Sequence, residues 1–83
     1  MKVRIRYFAS IREALGAGET LDLPAVLNVG QLRDLLIQRE GAHAAVLARG
    51  RAVRCALNQT LCAETEALTD GAEVAFFPPV TGG

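Results

Sequence analysis

One strongly helical pattern lies between segments that alternate apolar and polar residues, and this order restricts the fold more than any other feature of the chain. Leu32, Leu35 and Leu36 recur at the spacing of a single helix face. Most of the stability of such a helix comes from covering its apolar face. The alternating segments predict strands that are buried on one side. We therefore expect one main helix packed across one face of a small sheet.

Capping residues mark both ends of this main helix. Asn28 is a suitable N-cap, and Gln31 stands at the third helical position. Gly41 is a suitable left-handed stop. The polar residues between these limits are expected on the solvent side of the helix: Arg33, Asp34 and Gln38.

The first half of the chain contains two segments with the pattern of strands. In KVRIRYF, residues 2–8, the alternation places Val3, Ile5 and Tyr7 on the inner face. ETLDL, residues 19–23, alternates again and ends before a proline. These two segments predict the first two strands of the sheet.

The second half predicts two more strands and allows a short additional one between them. In the last strand, Val74 and Phe76 share one face and Phe77 points to the other. The segments concerned are residues 51–58, the short 59–62, and 73–77.

Two shorter segments remain: residues 10–16, which lie between the first two predicted strands, and residues 41–50, which follow the main helix. Ser10 with Glu13 has the form of a capping box, and Gly16 ends the turn, which predicts one or two turns of helix. GAHAAVLARG, residues 41–50, has a looser pattern to which we assign no regular element, and His43 within it is expected at the surface.

The order strand, strand, helix, then two or three strands predicts an α+β fold of the β-grasp, or ubiquitin-like, type. Its mixed sheet of four to five strands carries the main helix across one face, with the first and last strands side by side and parallel. The domain is expected to span residues 1–77, followed by a flexible extended tail at residues 78–83. The predicted core comprises Val3, Ile5, Leu32, Leu35, Leu36, Val53, Leu57, Val74 and Phe76.

The charge and hydropathy of the chain limit the kinds of partner that it is expected to bind. Its 83 residues include nine basic and nine acidic side chains, and a net charge of zero argues against a broad nucleic-acid-binding face. The apolar stretches are far shorter than a membrane span, and the strand-like start does not resemble a secretory leader, so we expect a cytoplasmic protein. Two basic clusters are expected to be solvated or to face a partner: Arg4 with Arg6, and Arg49 with Arg51 and Arg54.

Side chains that could act as metal ligands or nucleophiles are few. Cys55 falls on the inward alternation and is expected as a small buried hydrophobic residue, without a disulfide to Cys62 in the cytoplasm. Two cysteines and His43 do not supply a zinc site at a recognised spacing. We find no nucleophile and base pattern and no glycine-rich phosphate loop, so we expect no bound cofactor, no metal and no catalysis by this chain alone.

The chain ends in PPVTGG, a segment suited to enter another protein. ATP can convert a terminal carboxylate into an acyl-adenylate, which a sulfur or nitrogen nucleophile can displace. Glycine at positions 82 and 83 removes the side chains that would meet the walls of a channel. Pro78 and Pro79 favour an extended stem, which lowers the entropy lost on insertion.

The tail and several other segments carry a family resemblance. DGAEVAFFPPVTGG, residues 70–83, resembles the C-terminal signature of the small, sulfur-carrying subunit of molybdopterin synthase, the MoaD family. The likeness extends over the whole chain, because VRIRYFASIREALG, NVGQLRDLL and RCALNQTL resemble that family's opening segment, main helix and central strand.

The resemblance implies a sequence of reactions at Gly83. An E1-like (MoeB-like) enzyme uses ATP to adenylate this residue, and a persulfide-type donor replaces the AMP, which leaves a thiocarboxylate, a covalent 1-thioglycine. The tail then inserts into the large (MoaE-like) subunit and transfers sulfur to a cyclic pyranopterin precursor of the molybdopterin dithiolene. Two copies of each subunit form the synthase.

Further residue roles follow from the same resemblance. Gly82 supplies clearance, while Pro78, Pro79, Val80 and Thr81 set the direction of the tail and contact the channel wall. Phe77 is a candidate docking anchor, because aromatic residues are enriched at interface hot spots, and packing on the second side of the sheet is an equal alternative. Phe8 is a similar candidate.

Other functions share parts of this pattern. The same tail chemistry would serve a sulfur carrier in thiamine or cysteine synthesis, or a ubiquitin-like modifier conjugated to lysines. A plain binding module, with Gly82 and Gly83 as a frayed end, is the third alternative.

Overall fold

Five strands and three helices form the part of the chain that the structure, a computed structural model, describes, residues 1–79. In chain order they are β1 (Lys2–Tyr7), α1 (Ala9–Leu15), β2 (Gly18–Asp22), α2 (Val29–Ile37), α3 (Gly41–Leu47), β3 (Arg54–Leu57), β4 (Thr60–Cys62) and β5 (Ala72–Phe77). The short extra strand allowed by the sequence at residues 59–62 is present as β4.

The strands form one mixed sheet in the order β2-β1-β5-β3-β4. β1 and β5 are parallel, with Val3 opposite Ala72 and Tyr7 opposite Phe76. The remaining neighbours, β1 with β2, β5 with β3 and β3 with β4, are antiparallel. The predicted parallel pairing of first and last strands is therefore confirmed. The chain leaves the sheet from β5, its central strand, and continues into Pro78 and Pro79.

The core lies between the sheet and the helices. Val3, Ile5 and Tyr7 of β1 are buried, as are Val74 and Phe76 of β5, which agrees with the alternation in the sequence. They form one cluster with buried residues of the three helices: Ile11, Val29, Leu32, Leu36 and Leu47. Covering these side chains is the main favourable contribution to folding.

The buried face of α2 differs from the prediction by a small rotation. The helix buries Val29, Leu32, Arg33 and Leu36, which lie at relative positions i, i+3, i+4 and i+7. Leu35 falls beside this face and remains 37% exposed, so its assignment to the core was wrong. The N-terminal prediction is confirmed: Gln31 N donates to Asn28 Oδ1 at 2.8 Å, while Asn28 N donates to Gln31 Oε1 at 2.9 Å.

Arg33 was expected in solvent but is only 4% exposed. Its Nε donates to Leu47 O and its Nη2 to Ala48 O, both at 2.7 Å, and its Nη1 donates to Glu64 Oε2 at 2.7 Å. Buried charge is tolerated because these acceptors replace water. The guanidinium thus joins α2 to the end of α3 and to the segment that follows β4.

Helix α1 begins earlier than the proposed capping box. Phe8 N donates to Phe76 O at 3.2 Å, which continues the sheet pairing, and Arg12 N already donates to Phe8 O at 3.2 Å. Phe8 is therefore the N-cap and Ser10 lies inside the helix, so the capping-box interpretation was wrong. Gly16 is the C-cap, as predicted, with a positive φ of 90°.

Helix α3 was not predicted, because only Leu47 of this short alanine-rich segment is fully buried and no amphipathic pattern results. Alanine has the highest intrinsic helix propensity, and contact with the other helices supplies the rest. Gly41 has the expected positive φ of 56°, yet it is the first residue of α3, and α2 already ends at the C-cap Gln38.

Candidate functional site

The predicted reactive end of the chain follows directly from the central strand. Phe77, the last residue of β5, and Pro78 are half-buried, while Pro79 is exposed. Val80, Thr81, Gly82 and Gly83 lie outside the described residues, and the roles assigned to them stay predictions. The structure thus defines the base from which the tail starts.

Beside this base lies the sheet face opposite the helices, which we call the open sheet face. Strand register places Phe77 opposite Arg54, and Ala56 opposite both Ala75 and Leu61, so these side chains share one side. In β1 the residues that alternate with the buried ones also point to this side. The open sheet face therefore includes the following residues: Arg4, Arg6, Arg54, Ala56, Leu61, Glu73, Ala75 and Phe77.

The centre of the open sheet face is apolar. The small side chains of Ala56 and Ala75 lie between the larger Leu61 and Phe77. Leu61 is 64% exposed, although it is a large apolar residue. An exposed Leu61 with the half-buried Ala75 and Phe77 nearby is typical of protein-binding surfaces.

Phe8 extends this apolar surface at the end of β1. It is 38% exposed, and the Arg6 guanidinium carbon lies 5.5 Å from the centre of its ring, a cation–π contact. Its backbone bond to Phe76 places it beside the end of β5. The structure therefore brings the two predicted docking residues, Phe8 and Phe77, to the same end of the sheet, close to where the tail begins.

Leu61 was missed as a candidate by the sequence reasoning. Its strand has three residues, too few for a clear alternation, and its neighbour Cys62 points to the opposite side. A signal was nonetheless available, because an apolar residue three positions after Asn58 in a tight hairpin returns to the face occupied by Ala56.

Basic side chains border the apolar centre. Arg4 and Arg6 lie 3.7 and 3.8 Å from the largely buried Glu73 carboxylate, and these long ion pairs with exposed arginines contribute little to stability. Arg54 is exposed and has no carboxylate within salt-bridge distance among residues 1–79. Arg54 is thus available to a partner's carboxylate, whereas Arg4 and Arg6 already share Glu73.

In the second predicted basic cluster, Arg49 is bound to other parts of this chain, whereas Arg51 and Arg54 are exposed. Arg49 pairs with Asp34 at 2.9 Å and with Glu64, and its Nη2 donates to Gly30 O at 2.9 Å. Burial alone raises the pKa of Glu64, but hydrogen bonds from Arg49 and Arg33 outweigh it and hold the pKa below its usual value. Arg49 therefore joins α2 to the segment that follows β4 on the helical side of the sheet.

A second polar cluster joins α3 and the connection between α2 and α3 to the sheet. The Tyr7 hydroxyl donates to Glu19 Oε2 at 3.1 Å, and Arg39 Nη1 donates to Glu19 Oε1 at 2.5 Å. Burial, followed by the charge of Glu19, raises the pKa of Tyr7 above its usual value. His43 is half-buried, with its ring edge-on to Tyr7 at 6.4 Å, instead of fully at the surface. These groups are bound to one another and present no free nucleophile.

In residues 1–79, no three side chains of His, Cys, Asp or Glu are grouped so that they could hold a metal ion. None of the three helices in this range is long and apolar enough to cross a membrane.

Cys55 is buried, as predicted, and Cys62 is half-buried; both are free thiols. Burial, and then the neighbouring Cys62, raises the pKa of Cys55 to about 12. The Cys55 thiol is therefore protonated near neutral pH and a poor nucleophile.

Comparisons with known proteins identify what this geometry resembles. The model of the ThiS family matches residues 5–83. The molybdopterin synthase sulfur carrier subunit of Escherichia coli K12 is 40% identical over 81 residues, which are 98% of this chain and 99% of that protein.

Two solved structures share the fold over nearly the whole chain. One is the complex of subunits 1 and 2 of molybdopterin-converting factor from Helicobacter pylori 26695, with a TM-score of 0.70, 27% identity and full coverage of both chains. The other is small archaeal modifier protein 1 of Haloferax volcanii, with a TM-score of 0.75 and 27% identity, covering 95% of this chain and 98% of that one.

Proposed function

The chain belongs to the ThiS family, and from this premise we propose that it is the sulfur-carrier subunit of a molybdopterin synthase. The observation that carries the proposal is the match, over almost the whole of both chains, to a relative named as that subunit. Three further relatives with the same name are 34–38% identical over nearly their full length. The β-grasp fold and the central position of β5 support it.

The proposed chemistry takes place at Gly83. The terminal carboxylate is adenylated with ATP by an E1-like enzyme, and a persulfide-type donor replaces the AMP to leave a thiocarboxylate. The lack of side chains at positions 82 and 83 suits passage through the narrow active sites of two different partners. In this chemistry no side chain of this chain needs to act as a nucleophile, because the reacting group is the terminal carboxylate.

The open sheet face is proposed to dock on the large, MoaE-like subunit, where the thiocarboxylate transfers its sulfur to a pyranopterin precursor. The Helicobacter pylori structure is a complex of two such subunits, which supports a partner of this kind. Leu61, Phe77 and Phe8 supply the apolar contacts beside the base of the tail. Pro78 and Pro79, whose φ angles are restricted, set the direction in which the chain leaves β5.

The remaining parts of the assembly rest on the family resemblance. We propose an E1-like, MoeB-like activating enzyme as the second partner and a heterotetramer of two small and two large subunits as the working synthase. The cytoplasmic location stays a prediction.

The decisive experiment measures the intact mass of the full chain after incubation with ATP, an E1-like activating enzyme and a sulfur donor. Exchange of one carboxylate oxygen for sulfur adds about 16 Da, and fragmentation must place the increment at Gly83. A chain lacking Gly83 is the matched control and is expected to gain nothing. Absence of any increment in the intact chain under conditions that charge the Escherichia coli relative would refute the proposal.

A protein modifier is the second candidate function, because small archaeal modifier protein 1 has the same fold at 27% identity. The two functions differ in the product formed after activation. A modifier leaves isopeptide bonds between Gly83 and lysines of other proteins, whereas a sulfur carrier leaves a free thiocarboxylate. Enrichment of lysine-linked Gly-Gly peptides from cells that express the chain would favour the modifier.

A further inference from the structure

The two cysteines of this chain form a cross-strand pair in the β3–β4 hairpin. Cys55 and Cys62 are directly opposite each other in the antiparallel register. Their sulfur atoms are 3.8 Å apart, and Cys55 Sγ donates to Cys62 O at 3.3 Å. Both side chains therefore point to the same side of the sheet, opposite Leu61.

The spacing of this pair suits a covalent bond. Residues directly opposite in an antiparallel pair have Cα atoms about 4.5–5.5 Å apart, within the range that a disulfide spans. The sulfur atoms have to approach each other by about 2 Å, which rotation of the two side chains about their Cα–Cβ bonds can supply. No strand has to move for the bond to form.

The two thiols differ in access. Cys55 is buried beneath the helices, whereas Cys62 lies on the edge strand β4 and is half-buried. An external reagent therefore reaches Cys62 first. Cys55, held in contact with it, is placed to react second.

We propose that Cys55 and Cys62 are a disulfide-forming site that responds to low-molecular-weight disulfides. The Cys62 thiolate attacks one sulfur of the reagent, forms a mixed disulfide and releases one small thiol. Cys55 reacts poorly with reagents in solution, but its sulfur is held in contact with Cys62 Sγ. It attacks that sulfur while its proton passes to the departing small thiolate, which forms the protein disulfide and releases the second small thiol. Two electrons pass from the cysteines to the reagent, and the two protons end on the released thiols.

Closure of this bond fixes the outer edge of the open sheet face. β4 pairs with β3 alone, and it carries Leu61 on the side opposite the disulfide. A cross-link that closes a loop of this size restricts the unfolded chain, and we expect the midpoint of thermal unfolding to rise by about 10 °C. The site is independent of Gly83, so it stands or fails separately from the sulfur-carrier function.

The test treats the full chain with oxidised glutathione and follows intact mass and alkylation by iodoacetamide. We expect a monomer about 2 Da lighter with both thiols protected, reversed by dithiothreitol. Cys55→Ser is the matched variant that keeps the accessible thiol, and it is expected to stop at a mixed disulfide about 305 Da heavier. Cys62→Ser, which keeps the buried thiol, is expected to remain unchanged.

Three results in the unmodified chain would overturn the proposal. The first is accumulation of the glutathione mixed disulfide. The second is that both thiols can still be alkylated although the oxidised glutathione has oxidised dithiothreitol in the same solution. The third is formation of disulfide-linked dimers as the main product. All three are measured on the natural sequence, so a folding defect in either variant leaves the conclusion intact.

Discussion

Replacing Leu61 by alanine is the sharpest test of the open sheet face. The side chain is 64% exposed in the isolated chain, so its truncation is expected to leave the fold almost unchanged. If the large subunit covers this face, the lost apolar contact should appear in the dissociation constant of the complex. This substitution therefore tests the affinity of the complex without changing the stability of the isolated chain.

The expected loss of binding free energy follows from the exposed fraction of the Leu61 side chain. Full burial of a leucine side chain is worth about 1.5–3 kcal/mol, so covering the 64% that is exposed is worth about 1–2 kcal/mol. We expect Leu61→Ala to weaken the complex with the large subunit by about 5- to 30-fold in Kd. Titration calorimetry with the purified large subunit measures this change, and circular dichroism confirms that the variant unfolds at the same temperature.

Val26→Ala is the matched control, because Val26 is 75% exposed and precedes α2, outside the strands that form the open sheet face. It removes a similar apolar group and is expected to leave Kd unchanged. The reasoning is refuted if Leu61→Ala binds within twofold of the natural chain, or if Val26→Ala loses as much affinity.

Four further outcomes are expected. Deletion of Gly83 abolishes sulfur transfer in a reconstituted synthase assay while the thermal midpoint stays unchanged; normal activity would contradict the role of the tail. Phe77→Ala weakens binding to the large subunit by about 1 kcal/mol or more, and an unchanged Kd in a folded variant would assign this half-buried ring to packing alone. Arg33→Ala lowers the free energy of unfolding by about 2–4 kcal/mol, because the buried carbonyls of Leu47 and Ala48 lose their donor while Glu64 keeps Arg49; urea denaturation measures this, and a loss below about 1 kcal/mol would show that water replaces the guanidinium. The lowered pKa of Glu64 means that its contribution to stability is complete above its ordinary pKa and is lost as pH falls through the lower folded value; Glu64→Gln should flatten this acid limb, and an unaltered pH profile would argue against the ion pairs.

The regular elements could be predicted wherever side-chain alternation or capping acts locally. The alternation of Val3, Ile5 and Tyr7 sets which side of β1 is buried, and Asn28 with Gln31 sets the start of α2. These predictions depend on neighbouring residues alone, which is why they are confirmed. Helix α3 could not be predicted, because Leu47 is its one fully buried side chain and contact with α1 and α2 supplies its stability.

The exposure of single residues on α2 depended on tertiary contacts. The buried face of the helix is rotated by part of a turn from the predicted one. As a result Arg33, which was assigned to solvent, is buried, and Leu35, which was assigned to the core, is exposed. The backbone carbonyls of Leu47 and Ala48 decide this exchange, since they accept the hydrogen bonds that a buried guanidinium requires. Sequence spacing contains no information about acceptors 14 or 15 residues away.

By itself the sequence determined the order of the strands and the main helix, the family and the reactive end that we assign to Gly83, because periodicity, capping and a terminal motif are properties of contiguous residues. The tertiary structure alone decided which side chains surround the base of the tail. Leu61, Phe77 and Phe8 come from three separate segments, and they share a surface because β5 pairs with both β1 and β3. Cys55 and Cys62 likewise become partners only through the register of a hairpin. Neighbours created by strand pairing depend on how the whole sheet is assembled, and local sequence patterns do not specify them.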